Sequence, residues 1–400
     1  MIALPGSASG LICITALALY LCACKSTPRA EWEQHAYIWS RSATPYQISV
    51  PRDIRAVRVL VAQWSAMGDQ PWVLKSAESE ALSMGMPVIA VVRLDGATIN
   101  VSATTVARSL KQDLFYEGVG TPLKAIEIDH DSATARLGDY IRWLRKFRSE
   151  WGDRSPVLIT ALPDWRRSST LPELLDVVDA YTLQIHALDA DSIDLIDLQH
   201  SQEWIAEFEQ RSDTPYFVAL PTYVIRVGKD EDGGVRFVES GSRVGASAAN
   251  EQTLFIDPTD LASLSSMLQS TRSSKRRGIA WFRLPSPEDR STLSMDTFRA
   301  LVVGDQLKRK VAIDLVSVQS GSNTFDLGLH NTGAHDTGLP RSVELGEGCE
   351  AGDTSNGYRV AQDRRELIRT SQGLLGSGQT RPLGWIRCAS STPQAPTVQW

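Results

Sequence analysis

The strongest constraint on the fold is a series of eight short apolar runs separated by helical or polar stretches. Each run is rich in β-branched or aromatic residues and ends in a polar or aromatic group, which is typical of a buried strand. Eight strands alternating with helices over about 270 residues predict a (β/α)8 barrel, an α/β fold. The runs are His35–Trp39, Val57–Trp64, Pro87–Asp95, Ala125–Asp131, Pro156–Pro163, Val178–His186, Pro215–Tyr223 and Gly278–Pro285.

Several intervals between these runs carry helical periodicity. It is clearest over Thr134–Trp151, where apolar side chains recur every three or four residues. An open doubly wound sheet is the alternative, but no glycine-rich turn follows the first strand. The interval Arg41–Ala56 shows no helical pattern and is the weakest part of the barrel prediction. Further helices are predicted over Leu171–Val178, Ser192–Gln210 and Pro258–Leu268, the last with Asp257 as its N-cap.

The fourth run carries three acids that face one way. Glu127, Asp129 and Asp131 are spaced two residues apart, so a strand places all three carboxylates on the same face. Carboxylates on one side of an apolar strand repel one another and resist burial. They are therefore either active-site acids or groups that cap the following helix and pair with arginines.

Paired carboxyl groups are what glycoside hydrolysis requires, one to protonate the leaving oxygen and one to stabilise or attack the sugar cation. Residues two apart on a strand have Cα atoms about 6.6 Å apart, which allows retaining or inverting chemistry. We predict Asp129 and Asp131 as the catalytic pair, with Glu127 as a supporting acid that sets their pKa or pairs with Arg93. No cofactor is expected, and because His130 is predicted to point outward, no metal site is expected.

The ends of the eight runs are rich in aromatic rings and planar hydrogen-bonding groups. Barrel active sites form at the C-terminal ends of the strands. Sugar rings stack on aromatic faces while their hydroxyls bond to carboxylate, amide and guanidinium groups, so a glycan cleft is predicted. Each aromatic residue alone fits core packing equally well, as does His186. The predicted substrate-binding residues are Trp39, Arg93, Asp95, Trp165, Gln184, His186, Tyr223, Trp281 and Arg283.

An insertion at residues 224–252 separates the last two runs. Tyr223–Val227 and Val235–Glu239 flank an acidic Gly-Gly turn, a pattern that predicts a hairpin. Loops after barrel strands face the active site. The hairpin either walls or covers the cleft, or it is a plain solvent-exposed excursion.

The first 24 residues indicate a targeting segment. Leu11–Ala23 is apolar for about 13 residues, the length of a signal-peptide core and too short to span a membrane. Its end, Leu21–Cys24, resembles the bacterial lipobox, which implies a lipid anchor on Cys24 as the first mature residue. Lys25 in place of Asp implies the outer membrane. An ordinary cleaved signal peptide is the alternative, and residues 25–34 are predicted to be a linker.

The C-terminal quarter has a different sequence pattern. From about Leu307 the chain alternates like short strands, which predicts a β-sandwich-like domain over 305–400 after a barrel over 35–304. Cys349 and Cys388 are the cysteines left after the signal and the lipidated residue, and they predict a disulfide in an oxidising compartment, closing a loop of about 40 residues. A net charge of −6 without basic clusters argues against a nucleic-acid partner.

Seven short motifs in the barrel region, and one in the tail, carry a family resemblance. They are Tyr37–Trp39, Val92–Gly96, Ile126–Asp131, Ile159–Pro163, Val178–Tyr181, Gln184–His186, Gly278–Pro285 and, in the tail, Leu329–Gly333. The sequence resembles the bacterial envelope family known as domain of unknown function 3142. That family has no established function, so the resemblance implies an envelope location but no activity.

A more remote resemblance is to the family 18 chitinase-type barrels. Their fourth strand carries acids at three alternate positions, as at Glu127, Asp129 and Asp131, and their eighth strand carries a tryptophan, as at Trp281. In that family the last acid is a glutamate that donates the proton, and Asp131 stands at this position. The resemblance implies a glycan substrate.

The sequence as a whole predicts a lipid-anchored envelope protein, an outer-membrane lipoprotein facing the periplasm. Its predicted activity is glycoside hydrolysis by paired carboxylates at the end of the fourth barrel strand. The alternatives are a non-catalytic glycan-binding or scaffolding lipoprotein and a purely structural assembly protein.

Overall fold

Eight parallel strands form a closed barrel in the computed structural model of the protein. They are β1 (Glu33–Ile38), β2 (Ala56–Trp64), β4 (Val88–Leu94), β5 (Ala125–Asp129), β6 (Val157–Ala161), β7 (Ala180–Gln184), β8 (Tyr216–Pro221) and β12 (Arg276–Phe282). The sheet closes because β1 pairs with both β2 and β12. A short strand, β3 (Trp72–Val73), adds to β2 in antiparallel fashion. The predicted barrel is confirmed, and the acid-bearing β5 is the fourth of its strands.

The structure describes residues 31–39, 49–65, 72–73, 85–96, 98–115, 123–186, 195–229, 235–240, 251–271, 273–286, 289 and 291–400. Within these ranges, residues Trp32–Trp400 form one compact unit. The predicted lipidation site Cys24, the predicted signal segment and most of the predicted linker lie outside the described residues. None of the described helices has both the length and the apolar character that a membrane span requires.

Helices follow the strands and cover the barrel. They are α1 (Ala103–Phe115), α2 (Leu137–Trp151), α3 (Leu171–Asp176), α4 (Leu198–Arg211), α5 (Pro258–Ser270) and α6 (Met295–Val303). The apolar stripe predicted for α2 is buried, including Leu144 and Phe147. The Asp257 carboxylate accepts from the Thr259 amide and caps α5, with Pro258 in the first turn, as the sequence predicts.

The junction of β1 and β12 depends on a glycine. A Cβ atom on Gly278 would lie 1.7 Å from the backbone oxygen of Glu33, so any larger residue at this position would separate the two strands. Gly278 therefore lets the first and last barrel strands pair and close the sheet.

The insertion after β8 forms a small antiparallel sheet. It contains β9 (Ile225–Lys229), β10 (Val235–Ser240) and β11 (Glu251–Leu254), in the order β10-β9-β11. The predicted hairpin corresponds to β9 and β10, while β11 is a third strand that the sequence pattern did not reveal. The predicted turn at 230–234 lies outside the described residues.

The C-terminal region consists of antiparallel strands in two four-stranded sheets and one pair. The first sheet has the order β13 (Val311–Ser317), β14 (Thr324–Asn331), β21 (Thr380–Cys388) and β17 (Cys349–Thr354). The second has the order β18 (Tyr358–Val360), β19 (Glu366–Arg369), β16 (Ser342–Glu344) and β22 (Thr397–Gln399), and β15 (Thr337–Gly338) pairs with β20 (Leu374–Leu375). Side chains of both four-stranded sheets share one core, as expected of a sandwich. The predicted disulfide between Cys349 and Cys388 is present and joins β17 to β21.

The barrel and the C-terminal sheets are joined through polar contacts around Asp257. Its Oδ2 atom accepts from the Gly338 amide at 3.0 Å and from Arg309 Nε at 3.3 Å. Arg309 also reaches Asp260 on α5 at 3.1 Å. One carboxylate thus caps a barrel helix and holds the adjoining domain.

The middle of the barrel lumen holds a buried ion pair. Arg58 on β2 donates from Nη1 to Glu127 Oε2 at 2.6 Å, and both side chains are fully buried. Arg58 Nη1 also reaches Thr182 Oγ1 at 2.7 Å, and Tyr37 donates to Glu127 Oε1 at 2.7 Å. The guanidinium lies 4.8 Å from the centre of the Phe217 ring. Because every partner comes from a different strand, this network connects opposite sides of the lumen.

The Arg58→Met variant is predicted to be strongly destabilised. It would leave the Glu127 carboxylate buried without its cation, which costs about 3–5 kcal/mol of unfolding free energy. The double variant Arg58→Met/Glu127→Gln should recover most of that loss, because no uncompensated charge remains. Urea unfolding at pH 7 measures the unfolding free energy of both variants. A value for Arg58→Met within about 0.5 kcal/mol of wild type, which is what loss of a surface ion pair would give, would contradict this account.

Candidate active site

A cleft of about 360 Å³ opens at the C-terminal ends of the barrel strands. Its lining combines acids, an arginine, a histidine and aromatic rings, which come from most of the barrel strands. The lining residues are Tyr37, Trp39, Arg93, Asp95, Asp129, Asp131, Thr160, Gln184, His186, Ala219, Tyr223 and Phe282. Barrel chemistry is expected at this end, so the cleft is the candidate active site.

Arg93 holds the two candidate catalytic acids. Its Nη1 donates to Asp129 Oδ2 at 2.8 Å and its Nη2 donates to Asp131 Oδ2 at 2.6 Å. Arg93 lies beside Asp129 in the pairing of β4 with β5, so the contact follows from the register of the sheet. A forked guanidinium bound to two carboxylates fixes their spacing and their orientation.

The same arginine reaches a third acid. Arg93 Nε lies 3.2 Å from Asp95 Oδ1, and Gln63 Nε2 donates to Asp95 Oδ2 at 2.5 Å. Burial pulls the pKa of Arg93 down, but Asp129 and Asp131 outweigh this effect and raise it, so Arg93 stays charged. The floor of the cleft therefore carries one cation among three carboxyl groups.

Asp129 and Asp131 differ in their exposure to water. Asp129 is 5% exposed, whereas the side chain of Asp131 is 43% exposed. Burial, supported by the nearby charge of Asp131, raises the pKa of Asp129 against the opposing effects of Arg93 and the Thr160 hydroxyl, which donates to Oδ1 at 2.7 Å. Burial thus favours the protonated form of Asp129, and Asp131 is the more exposed of the two acids that line the cleft.

Glu127 lies below this pair and outside the lining of the cleft. The sequence left two roles open for Glu127, a neighbour that sets the pKa of the catalytic pair or an ion partner of Arg93. The pairing with Arg93 is wrong, because Glu127 binds Arg58 and Tyr37 in the closed lumen. The residue spacing on β5 explains the difference, since Glu127 lies two positions deeper than Asp129 and faces β2 across the lumen. Glu127 touches no open space, so it acts as a structural acid beneath the site.

His186 and Gln184 follow β7 into the cleft. Burial lowers the pKa of His186 to about 4, although Asp131 opposes the effect, so the imidazole is neutral near pH 7. Its ring approaches Tyr223 edge-on at 6.5 Å. A neutral imidazole beside an open cleft offers a donor on one ring nitrogen and an acceptor on the other.

Aromatic rings form one wall of the cleft. Phe282 lies at the centre of this wall, with ring centroids 5.1 Å from Tyr37, 5.1 Å from Trp39 and 5.5 Å from Tyr223. Trp39 and Tyr223 are predicted site residues. Tyr37, Phe282 and Thr160 are lining residues that sequence reasoning missed, although the two-residue period of β1 and β12 could have identified the first two.

Three predicted site residues lie outside the cleft. Trp165 is fully buried under α2 and donates from Nε1 to the Ser132 carbonyl, and Trp281 is fully buried with its Nε1 bonded to Gln34. Trp281 precedes Phe282 on β12, so the alternation of the strand turns the tryptophan outward and the phenylalanine inward. Arg283 is held by Asp289 and does not line the cleft. The prediction that these three residues bind substrate is therefore wrong, and each has a structural role.

His130 points out of the barrel, as predicted. Its Nδ1 lies 3.0 Å from the Leu94 carbonyl and its ring packs edge-on against Tyr140 at 5.0 Å. In the ranges that the structure describes, no group of three or more His, Cys, Asp or Glu side chains is arranged to hold a metal ion.

The barrel and site belong to a known family. The chain is a member of the family described as domain of unknown function DUF3142, which matches residues 84–287 and confirms the predicted resemblance. A second family, described as domain of unknown function DUF8456, matches residues 314–389 in the C-terminal sheets. No curated protein matches the sequence.

Several solved structures resemble the chain in their fold. Chitinase ChiA74 from Bacillus thuringiensis is 8% identical with a TM-score of 0.44, covering 92% of this chain and 100% of its own. The spore cortex-lytic enzyme SleL of Bacillus megaterium QM B1551 is 11% identical with a TM-score of 0.47, covering 71% and 76%. A chitinase from Bacteroides thetaiotaomicron is 9% identical with a TM-score of 0.45, covering 64% and 90%.

Replacement of His186 by Asn is predicted to reduce the loss of unfolding free energy that occurs as the pH falls from 6.5 to about 4. Between pH 6.5 and about 4 the unfolded chain binds a proton at His186 and the folded chain does not, so acidification favours unfolding. The effect amounts to at most about 1.4 kcal/mol per pH unit. Urea unfolding at pH 7 and pH 4.5 measures the slope. The control is His200→Asn, with a side chain 59% exposed, and an unchanged slope in His186→Asn would refute the assignment.

Proposed function

We propose that the protein acts on glycans and hydrolyses a glycosidic bond in the cleft at the mouth of the barrel. The observation that supports this proposal most is the pair of carboxyl groups, Asp129 and Asp131, held by Arg93 in an open cleft with an aromatic wall. Glycoside hydrolysis is carried out by two carboxyl groups that flank the scissile bond. It requires no cofactor.

The lining of the cleft suits a sugar ring. Trp39, Tyr223 and Phe282 offer apolar ring surface, and C–H faces of a pyranose stack on such rings. Gln184 and Asp95 offer an amide and a carboxylate for hydroxyl groups. Among the lining residues that the structure describes, Arg93 is one cation beside three acids, so a neutral or amino sugar is favoured over an acidic one.

The two acids take different roles in this proposal. Asp131 meets the substrate, because its side chain is 43% exposed at the cleft. It transfers its proton to the leaving oxygen as the glycosidic bond breaks, and a water molecule then adds to the anomeric carbon and returns a proton to the Asp131 carboxylate. Asp129 is buried below it, and its raised pKa makes it the store for a proton near the reacting centre. His186 and Gln184 orient the sugar hydroxyls.

Replacement of Asp131 by Asn is predicted to reduce glycan cleavage by about 10²–10⁴-fold, the usual cost of losing a general acid or base. The shape of the residue is kept while its proton is removed from the reaction. A screen of oligosaccharides with detection of new reducing ends measures the loss. Asp164→Asn is the matched control, since Asp164 has a side chain 85% exposed and does not line the cleft. Unchanged cleavage in Asp131→Asn would contradict the role of Asp131 as proton donor, and absence of cleavage by the wild-type protein would contradict the hydrolase proposal.

A non-catalytic glycan-binding protein is the second candidate. The observation in its favour is that Arg93 donates to both carboxyl groups, so the two acids are already paired with a cation in the cleft. A binder would show no new reducing ends with any form of the protein. It would still lose glycan affinity on Trp39→Ala, which removes a half-buried ring from the wall of the cleft.

We further propose that the protein is a lipoprotein of the cell envelope, anchored through Cys24 in the outer membrane and facing the periplasm. The lipobox-like residues Leu21–Cys24 support this proposal. The disulfide between Cys349 and Cys388 agrees with it, because disulfides form and persist outside the reducing cytosol.

Replacement of Cys24 by Ser is predicted to release the protein from the membrane fraction. Without the thiol no lipid chain can be attached at this position, and the anchor is lost. Fractionation of bacteria that express the two forms, together with labelling by a radioactive fatty acid, measures the change. Continued labelling of Cys24→Ser would place the anchor elsewhere, and absence of label in wild type would favour an ordinary signal peptide.

A further inference from the structure

An exposed tryptophan lies on the outer face of the first C-terminal sheet. Trp385 on β21 is 36% exposed, while its neighbour Ile386 is buried in the domain core. The strand alternation therefore turns Trp385 away from the core. Across the sheet it lies beside Asp326 on β14, which pairs in turn with Val316 on the edge strand β13.

The tryptophan ring lies flat on the sheet. A Cβ atom on Gly352 of β17 would lie 2.2–2.3 Å from Cη2, Cζ2 and Cε2 of Trp385. Nearly equal distances to three consecutive atoms of the ring mean that its face, not its edge, covers Gly352. The exposed area of Trp385 then belongs to the opposite, outer face of the ring.

A β-bulge produces this arrangement. Ala351 and Asp353 pair with the consecutive residues Ile386 and Trp385, so Gly352 is the extra residue in β17. Bulges commonly re-aim side chains, and a glycine in one leaves room for a close neighbour. The ring of Trp385 therefore packs directly on the backbone of Gly352.

Hydrogen-bonding groups surround the ring. Asp326, Glu350 and Asp353 are exposed carboxylates on the strands next to Trp385. Arg387 lies two residues along β21, with its guanidinium 6.0 Å from the centre of the ring. An aromatic plane with carboxylates beside it and a guanidinium over the ring has the two features that pyranose recognition requires, one for the C–H face and one for the hydroxyl groups.

We propose that this surface, formed by Trp385, Gly352, Asp326 and Arg387 and here called the tryptophan platform, is a second glycan-binding site. It binds one pyranose ring of a neutral polysaccharide against the outer face of Trp385, next to the Arg387 guanidinium. Binding at the platform does not depend on turnover in the barrel cleft, because the two sites share no residue.

Two other classes of occupant fit the surface less well. The three carboxylates around Trp385 outnumber the two arginines there, Arg387 and Arg364, the latter donating to the Gly352 carbonyl at 3.1 Å, so the local charge disfavours the phosphates of nucleic acids or anionic lipids. The exposed apolar side chains on this part of the sheet are Trp385, Val316 and Val318. Three side chains fall short of the roughly 800 Å² that each partner buries in a stable protein complex.

The test measures retention of the full-length protein in native gels that contain hydroxyethylcellulose, glycol chitin or polygalacturonate. It uses the Asp131→Asn background, so that the polymers stay intact. We expect a neutral polymer to retard the protein, Trp385→Ala to weaken that retention about tenfold, and Trp385→Tyr to restore most of it. The proposal would be overturned if neither hydroxyethylcellulose nor glycol chitin retarded the protein, or if polygalacturonate alone did.

Trp400→Ala is the matched control, because Trp400 is 37% exposed and stacks on Arg309 away from the platform. An equal loss of retention in Trp385→Ala and Trp400→Ala would also overturn the proposal. A second variant, Gly352→Ala, keeps Trp385 but lifts its ring from the sheet, and it should weaken retention as well. Thermal unfolding of each variant separates loss of binding from loss of folding.

Failure of this proposal is distinguishable from failure of the proposed hydrolysis. Trp385→Ala in the otherwise native protein should cut short soluble oligosaccharides at the wild-type rate, because those fit within the barrel cleft. If no form of the protein cuts any glycan while retention still depends on Trp385, the hydrolase proposal fails and the platform stands. If cutting depends on Asp131 and Trp385→Ala changes nothing, the platform fails alone.

Discussion

The buried ion pair between Arg58 and Glu127 is the interaction on which the barrel and its site depend. A carboxylate and a guanidinium in a closed lumen tolerate burial only while each satisfies the other. Once Glu127 is held in the lumen, the two-residue period of β5 sends Ile126 and Ile128 to the helices and Asp129 to the mouth. A shift of one residue would turn all the acids into the apolar layer, so this pair selects the register.

The lumen holds acidic side chains bonded to histidine or arginine at three successive levels along its axis. Near the lower end, Glu33 pairs with His35, whose other ring nitrogen meets Arg58 Nε at 3.3 Å. Burial lowers the pKa of His35 to about 3, so a neutral ring links the lower acid to the central pair. At the mouth Arg93 pairs with Asp129. Because the layers below are closed to solvent, Asp129 is desolvated from beneath, and this burial is the main cause of its raised pKa.

The sequence predicted the barrel and the acid face because both rest on short periods along one chain. The period of two identified Asp129 and Asp131, and the order of the runs identified β5 as the fourth strand. Other parts depend on pairing between distant residues. Arg58 meets Glu127 across 69 positions, and no local pattern reveals that contact. Trp165 and Trp281 were misassigned because a residue near a strand end was taken as facing the cleft without regard to alternation.

Three tryptophans show why residue type alone does not identify a glycan site. Trp281 has an ideal position at a strand end, yet alternation buries it and leaves Phe282 in the cleft. Trp39 lies at the mouth because β1 ends one residue before it. Trp385 faces solvent because it alternates with a buried neighbour, and it lies flat because a bulged glycine makes space beneath it. The position of a tryptophan in its strand, together with the residues next to it, therefore determines whether its ring is buried in the core or exposed for binding.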